Sequence, residues 1–415
     1  MREADKIDHL LRRTGFGATP SERKRAYRLG YEKTVREILQ KTNDYQPAEA
    51  PPSTPLPPIV LPATLLSFGQ GVLWWLRTLT NSTSPLNERL TLFWHRHFAT
   101  SGSKVFNPGW MFEQNQTFRR YGNGAFADLL KKMVADPALL SWLDADNNSA
   151  ENPNENFARE LLELFTLGIG QYSEKDVKEL AKLTTGRRVT RTGKTPDDPH
   201  GSYSGPVRVL EKKGQIKLRD MAEYLAVHPA TARRTVAHLW ADLAACPLPT
   251  TESERLEKLW RETRGNVTLV IREILLSDHF FDGPRERVLS PVEYWVTCSR
   301  LLGTADYKFD DVPFLKQAGE QLFFPPSVKG WDLGEALIHP AALQTRMEIA
   351  QRIVSRLPES HWILQGVAAS PCPSRYLSQV TGGQVRSSTL PPNLGDFQPR
   401  ESLLLALASP DFWTV

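Results

Sequence analysis

Asn152-Pro153-Asn154-Glu155-Asn156-Phe157-Ala158-Arg159-Glu160-Leu161-Leu162-Glu163-Leu164-Phe165-Thr166-Leu167-Gly168 is the stretch on which the fold turns. Wound at ~100° per residue, Phe157, Ala158, Leu161, Leu162, Leu164 and Phe165 gather on one side. Glu155, Asn156, Arg159, Glu160, Glu163 and Thr166 gather on the other, which makes an amphipathic helix. Its ends are signed too. Asn152 reads as the N-cap, Pro153 as the first helical residue, Glu155 as the third position of a capping box, and Gly168 as the left-handed stop.

The same period recurs outward in both directions. Residues 7–13 and 20–40 read as two helices, joined by a turn in which Thr19 is the N-cap and Pro20 opens the second. Further helices are expected over 65–80, 85–98, 110–121, 124–135, 173–185, 218–226, 229–244, 252–262, 267–278, 290–302, 311–320, 340–356 and 400–407. The period fails between residues 187 and 214, where Val207-Arg208-Val209-Leu210 suggests a short hairpin, and again over 368–400, rich in Pro, Ser and Gly. The fold class is therefore all-α: a large multi-helix, bundle-like domain with long irregular loops and one short β-hairpin. Prolines at 47, 51, 52, 55, 57, 58 and 62 forbid a helix there and predict an extended surface linker. The organisation expected is an N-terminal helical segment (1–45), a proline-rich linker (46–64) and a helical body (65–415), together one domain.

Composition narrows the class without naming the chemistry. The 415 residues are 40% hydrophobic and 24% charged, enough to bury a sizeable core. Fifty-one Lys and Arg against 47 Asp and Glu leave a net charge of +4, which speaks against nucleic acid as the partner. Cys246, Cys298 and Cys372 stand far apart, which argues against a disulfide framework and a thiolate zinc site. The N-terminus has no apolar signal core, and no window offers a clean apolar span of ~20 residues. The expectation is a soluble, cytoplasmic protein without a transmembrane segment.

Two helices carry the candidate chemistry. On the first, Arg159 and Glu163 are spaced i,i+4 for an ion pair, while Glu160 and Glu163 are like-charged neighbours. That face is either solvated or turned onto a site where its carboxylates have separated pKa values or hold a cation. The second helix contains His95-Arg96-His97. Residues two apart point about 200° apart on a helix, so the pair cannot chelate one metal. His97 shares the stripe of Leu86, Leu90 and Phe93 and is expected in the core; His95 lies with Glu88 and Thr91 and is expected at the surface. A histidine on an apolar stripe needs a partner. Glu160 is the first choice, and it would raise the imidazole pKa. Thr231 to His238 reads as a basic, solvated helix face. Trp331, after Pro325-Pro326, suits a sugar-stacking platform or loop packing. Phosphate loops, dinucleotide fingerprints and serine elbows are missing from the sequence.

Leu10-Leu11-Arg12-Arg13-Thr14-Gly15-Phe16-Gly17, Leu92-Phe93-Trp94-His95-Arg96-His97-Phe98, the 153–168 stretch, His228-Pro229-Ala230-Thr231-Ala232, Ser290-Pro291-Val292-Glu293 and Pro325-Pro326-Ser327-Val328-Lys329-Gly330-Trp331 together resemble the bacterial domain of unknown function 1800 family along nearly the whole chain. The resemblance implies a large, mostly helical domain without an agreed activity, often encoded beside a sulfatase-like domain of unknown function 1501 protein. The matching positions able to carry chemistry are His95, His97, Asn154, Glu155, Asn156, Arg159, Glu160 and Glu163. The length of the 153–168 match leads us to expect Arg159 and Glu163 at least partly buried and bonded outside their helix. The sequence departs from the family pattern at Arg187, where a tryptophan is usual, and at Gly201 after His200, where an acid is usual; Asp197 and Asp198 could substitute. The function expected is that of a hydrolase-like enzyme. His97 or His95 with Glu160, Glu163 and Arg159 would do the catalysis or bind a divalent metal, and Asn154, Glu155, Asn156, His200 and Trp331 would bind substrate. The alternative is a non-catalytic scaffold partnering the sulfatase-like protein through an apolar face around Trp74 and Trp75.

Overall fold

The computed structural model describes residues 1–45, 61–146, 148–190, 192–196, 198–282 and 287–415. It is mostly α-helical, with one antiparallel hairpin pairing Val207–Val209 with Lys212–Gly214. The fold class and the hairpin agree with the sequence. The proline-rich segment falls largely outside the described residues, as does Asp197. The helix after it begins at Leu61 and runs to Asn81. Pro62 is tolerated near its start because first-turn N–H groups have no intrahelical acceptor anyway.

Several boundaries move for identifiable reasons. The single helix expected over 20–40 is two, Pro20–Leu29 and Tyr31–Asn43, broken at Gly30 with φ +79°. Thr19 caps the first of them in a complete capping box with Glu22. The 153–167 helix is shorter, Glu155–Glu163, and its N-cap is Asn154, whose side chain accepts from the Asn156 N–H at 2.9 Å. Asn152 instead forms an isolated bridge with Ser149. Gly168 does adopt positive φ, +94°, and returns its N–H to the Leu162 carbonyl. The stretch 368–400 is less irregular than expected, because Pro373–Val380 is helical, and a further helix, Trp362–Ala369, precedes it. Both are eight residues long and pack on the Pro399–Leu407 helix, so tertiary contact supplies what their short period does not.

Two hydrophobic cores result. One gathers Trp94, Phe98, Phe126, Phe157, Leu161, Phe165, Trp240 and Trp260; the other gathers Phe68, Trp75, Phe112, Trp295, Phe323, Ile349 and Leu403. The Pro85–His97 helix serves both, giving Leu86, Leu90 and Trp94 to the first and Leu92 to the second. It is therefore enclosed nearly all round. Its polar residues Glu88, Arg89 and Thr91 are buried, and each must find an internal partner. Glu88 forms a bidentate pair with Arg119 at 2.8 and 2.9 Å, with both side chains fully buried. The apolar face expected around Trp74 and Trp75 is not exposed. Trp75 is fully buried, and the Arg119 guanidinium lies 4.8 Å from the Trp74 ring. Among the described residues, no helix is long and apolar enough to cross a membrane.

Candidate functional site

The enclosed helix reverses the two histidines. His95, expected at the surface, is core: it accepts from the Phe323 N–H at 3.2 Å, and its ring lies 5.0 Å from Trp75 and 5.3 Å from Trp331. Burial, helped by Arg96, pushes its pKa down to about 3. His97, expected in the core, is half-buried on the wall of a cleft of about 690 Å³. Its Nε2–H donates to the Phe165 carbonyl at 3.0 Å, not to a carboxylate. The expected Glu160 partner is replaced because the 155–163 helix ends early and aims the carbonyl of Phe165 at the ring. The pKa consequence also changes sign. Burial, then His238 and Arg234, push His97 down to about 3, so it is neutral at pH 7.

The facing wall comes from the Pro229–Leu243 helix. Arg234, His238 and Asp242 follow one another at four-residue spacing and share a stripe of that helix, and all three line the cleft. The His97 and His238 rings are 6.4 Å apart. His238 stays open to cleft water, yet the surrounding protein and Arg234 lower its pKa to about 4. Arg234 donates to the Glu163 carbonyl, and among the described residues no carboxylate pairs with it. The basic helix read from sequence as solvated thus splits: Arg233 is exposed on the outside, Arg234 is half-buried on the cleft wall, and His238 opens into the cleft.

Behind the cleft runs a buried ionic network. Arg89 holds Asp242 with bonds of 2.9 and 2.8 Å, Arg96 holds Glu320 at 2.6 Å and approaches Glu293 at 3.4 Å, and Arg287 holds Glu293 at 2.9 and 3.1 Å. These cations keep the Glu293 carboxyl far below its usual range. Phe93, Leu164, Val288, Val328 and Trp331 supply an apolar lining, while Ile169 and Leu333 stand exposed at the rim beside Lys329.

The other residues singled out from sequence disperse. Glu163 lines the cleft and accepts from the Tyr172 hydroxyl. Glu160 is half-buried next to it, its pKa raised by burial and by Glu163. Arg159 does not pair with Glu163. It clasps Glu174 across to the next helix at 2.7 and 2.8 Å and touches Glu155 at 3.3 Å. Arg159 and Glu163 are thus both half-buried and both bonded outside their helix. Asn154 and Asn156 work at the helix start, their amides donating to the Asp144 and Leu143 carbonyls. His200 is exposed in the 187–214 loop, and Asp198 accepts from its backbone N–H at 3.0 Å. At the departures, Arg187 donates to the Val134 carbonyl and Gly201 accepts from the Ala150 N–H. Trp331 reaches the cleft, but it is buried and packs on His95. Sequence reasoning missed Arg96, Arg234, His238, Asp242, Arg287 and Lys329. The four-residue spacing of 234, 238 and 242 was the one local signal.

Among the described residues, no group of three or more His, Cys, Asp and Glu side chains is placed to hold a metal ion. The fold and cleft define a large helical protein with an apolar-walled, cation-rimmed cavity. The chain belongs to the family described as Protein of unknown function (DUF1800), which it matches over residues 9–414. No curated protein and no solved structure matches it.

Proposed function

We propose that the cleft binds a small organic anion with an apolar body. The observation that carries this reading is the pairing of two cations that form no direct ion pair among the described residues, Arg234 near Glu163 and Lys329 near Glu160, with neutral His97 and His238 and an apolar wall ending at Trp331. Volumes of this size suit a small-molecule ligand. A cation inside an apolar cleft attracts an anion more strongly than one in open water. The histidines, neutral at pH 7, add hydrogen-bond donors and acceptors without competing for that charge. The test is calorimetric titration of the protein with benzoate, octanoate, phenyl phosphate and octyl sulfate. Binding of at least one, weakened about tenfold by Lys329→Ala, is the expected result. Loss of no affinity in Lys329→Ala and Arg234→Gln alike sinks the proposal.

A hydrolytic reading is favoured by one further observation, the raised pKa of Glu160 beside Glu163. A carboxyl whose protonated form is favoured by burial can act as a general acid on a bound ester. Histidines titrating near 3 and 4 are poorly matched to that task at neutral pH. Turnover of phenyl esters by the wild type, abolished in Glu160→Gln with binding retained, would establish it; an unchanged rate in that variant would remove it.

A further inference from the structure

Among the described residues, one buried guanidinium has all three of its nitrogens unpartnered. It is that of Arg13, in the last turn of the Glu3–Arg13 helix, whose side chain is completely buried. A guanidinium carries five N–H donors, and leaving all of them dry and unpaired is costly. Its surroundings add to the imbalance. Arg89 donates to the Gly15 carbonyl at 3.3 Å, two residues past Arg13, and holds Asp242. Arg287 stands 3.9 Å from the same Asp242 carboxylate. Among the described residues it gives Glu293 its Nη1 alone, and its Nε and Nη2 are buried without an acceptor. Arg89, Arg96 and Arg287 hold the three carboxylates Asp242, Glu293 and Glu320, and Arg13 bonds to none of them. Burial and the charges of Arg287, Arg89 and Arg12 press the Arg13 guanidinium far below its usual range.

We propose that Arg13 and Arg287 form a buried oxyanion site, in which a phosphate-, sulfate- or carboxylate-class anion accepts from their free N–H groups and balances the cluster. The planar guanidinium fork matches two oxygens of one oxyanion, and a buried guanidinium is less costly to desolvate than an ammonium. Two sources supply this chemistry. One is a small inorganic ion held permanently. The other is the acidic head of a molecule occupying the cleft, which Arg287 and Asp242 also line.

The experiment has two arms on the full-length chain. Anions released on denaturing the purified, desalted protein are measured by ion chromatography. In parallel, the thermal unfolding midpoint is followed while phosphate, sulfate or acetate replaces chloride at constant ionic strength. A permanent ion gives about one equivalent released. A site filled by a ligand head gives none released, but a midpoint that climbs with the logarithm of oxyanion concentration, by a few degrees at about a hundredfold excess over Kd. Arg13→Met, which removes an unpaired buried charge of similar bulk, should fold and lose both signals; Arg287→Gln is read in the same way. Lys329→Ala should keep them, which separates this site from the ligand proposed for the cleft. No released anion together with an oxyanion-independent midpoint in the wild type overturns the proposal, as does full retention of either signal in both arginine variants.

Discussion

Lowering the pH should cost His95 about 2 kcal/mol of folding free energy by pH 5, and the structure fixes both sign and size. His95 is 1% exposed, packed among Trp75, Phe323 and Trp331, and its Nε2 is occupied as an acceptor by the Phe323 N–H. Protonation would put a charge into that apolar cage and break the bond. The folded pKa is therefore depressed, to about 3, against 6.5 for the free side chain. A base whose folded value lies below its unfolded value contributes fully above pH 6.5 and loses that contribution as pH falls through 6.5 toward 3. At pH 5 the unfolded chain is favoured by about 1.5 pH units at ~1.36 kcal/mol each, or about 2 kcal/mol. That figure is insensitive to the folded pKa so long as it stays below about 4. Other groups titrate in the same window. Asp136, pushed up to about 7 by burial, gains stability as pH falls and opposes the effect. The measurement is therefore a difference: urea unfolding of wild type and His95→Gln by tryptophan fluorescence, from about pH 7.5 to about pH 5. The glutamine keeps an acceptor for Phe323 but cannot titrate, so the wild-type advantage should shrink by about 2 kcal/mol over that range. An advantage constant to within about 0.5 kcal/mol would mean that His95 is not held neutral by burial, and the core placement of this helix would be wrong.

Other expectations follow from the same packing. Glu88→Gln strips the charge from a fully buried pair and leaves Arg119 uncompensated, costing about 3–5 kcal/mol in denaturant titration. Arg159→Ala removes a pair whose carboxylates Glu174 and Glu155 are exposed or half-exposed, so the loss should stay below about 1 kcal/mol in the same assay. Gly330 holds φ +86°, and an added Cβ would meet the Arg96 carbonyl at 3.1 Å. Gly330→Ala should therefore cost about 1–3 kcal/mol and, by shifting Trp331, weaken ligand binding in the cleft as read by calorimetry.

Local signals were enough wherever the chain's immediate neighbours decide the outcome. The helical period of 155–163, the Thr19 N-cap, the turn at Gly168 and the Val207–Val209 hairpin are settled within a few residues of each other. They could be read from residue types and spacing. The separation of His95 from His97 was equally local, because helix geometry alone points them apart.

Which of the two histidines faces the core was not local. Periodicity assumes one wet face and one dry face, and the 85–97 helix is enclosed nearly all round because two cores draw on it, only Phe93, Arg96 and His97 reaching the cleft. His95 is thereby sealed in, and His97 is left at the cleft. The partner of His97 depended on where another helix stops, since an early end at Glu163 offers a backbone carbonyl in place of a side chain. The cleft itself is built from segments more than 200 residues apart in sequence, among them Phe93 and Leu333. The sequence by itself determined a mostly helical chain, its local caps and turns, and its family. Only tertiary packing decided which charged groups were dehydrated together, because the cost of burying a charge depends on every neighbour in space and not on those along the chain.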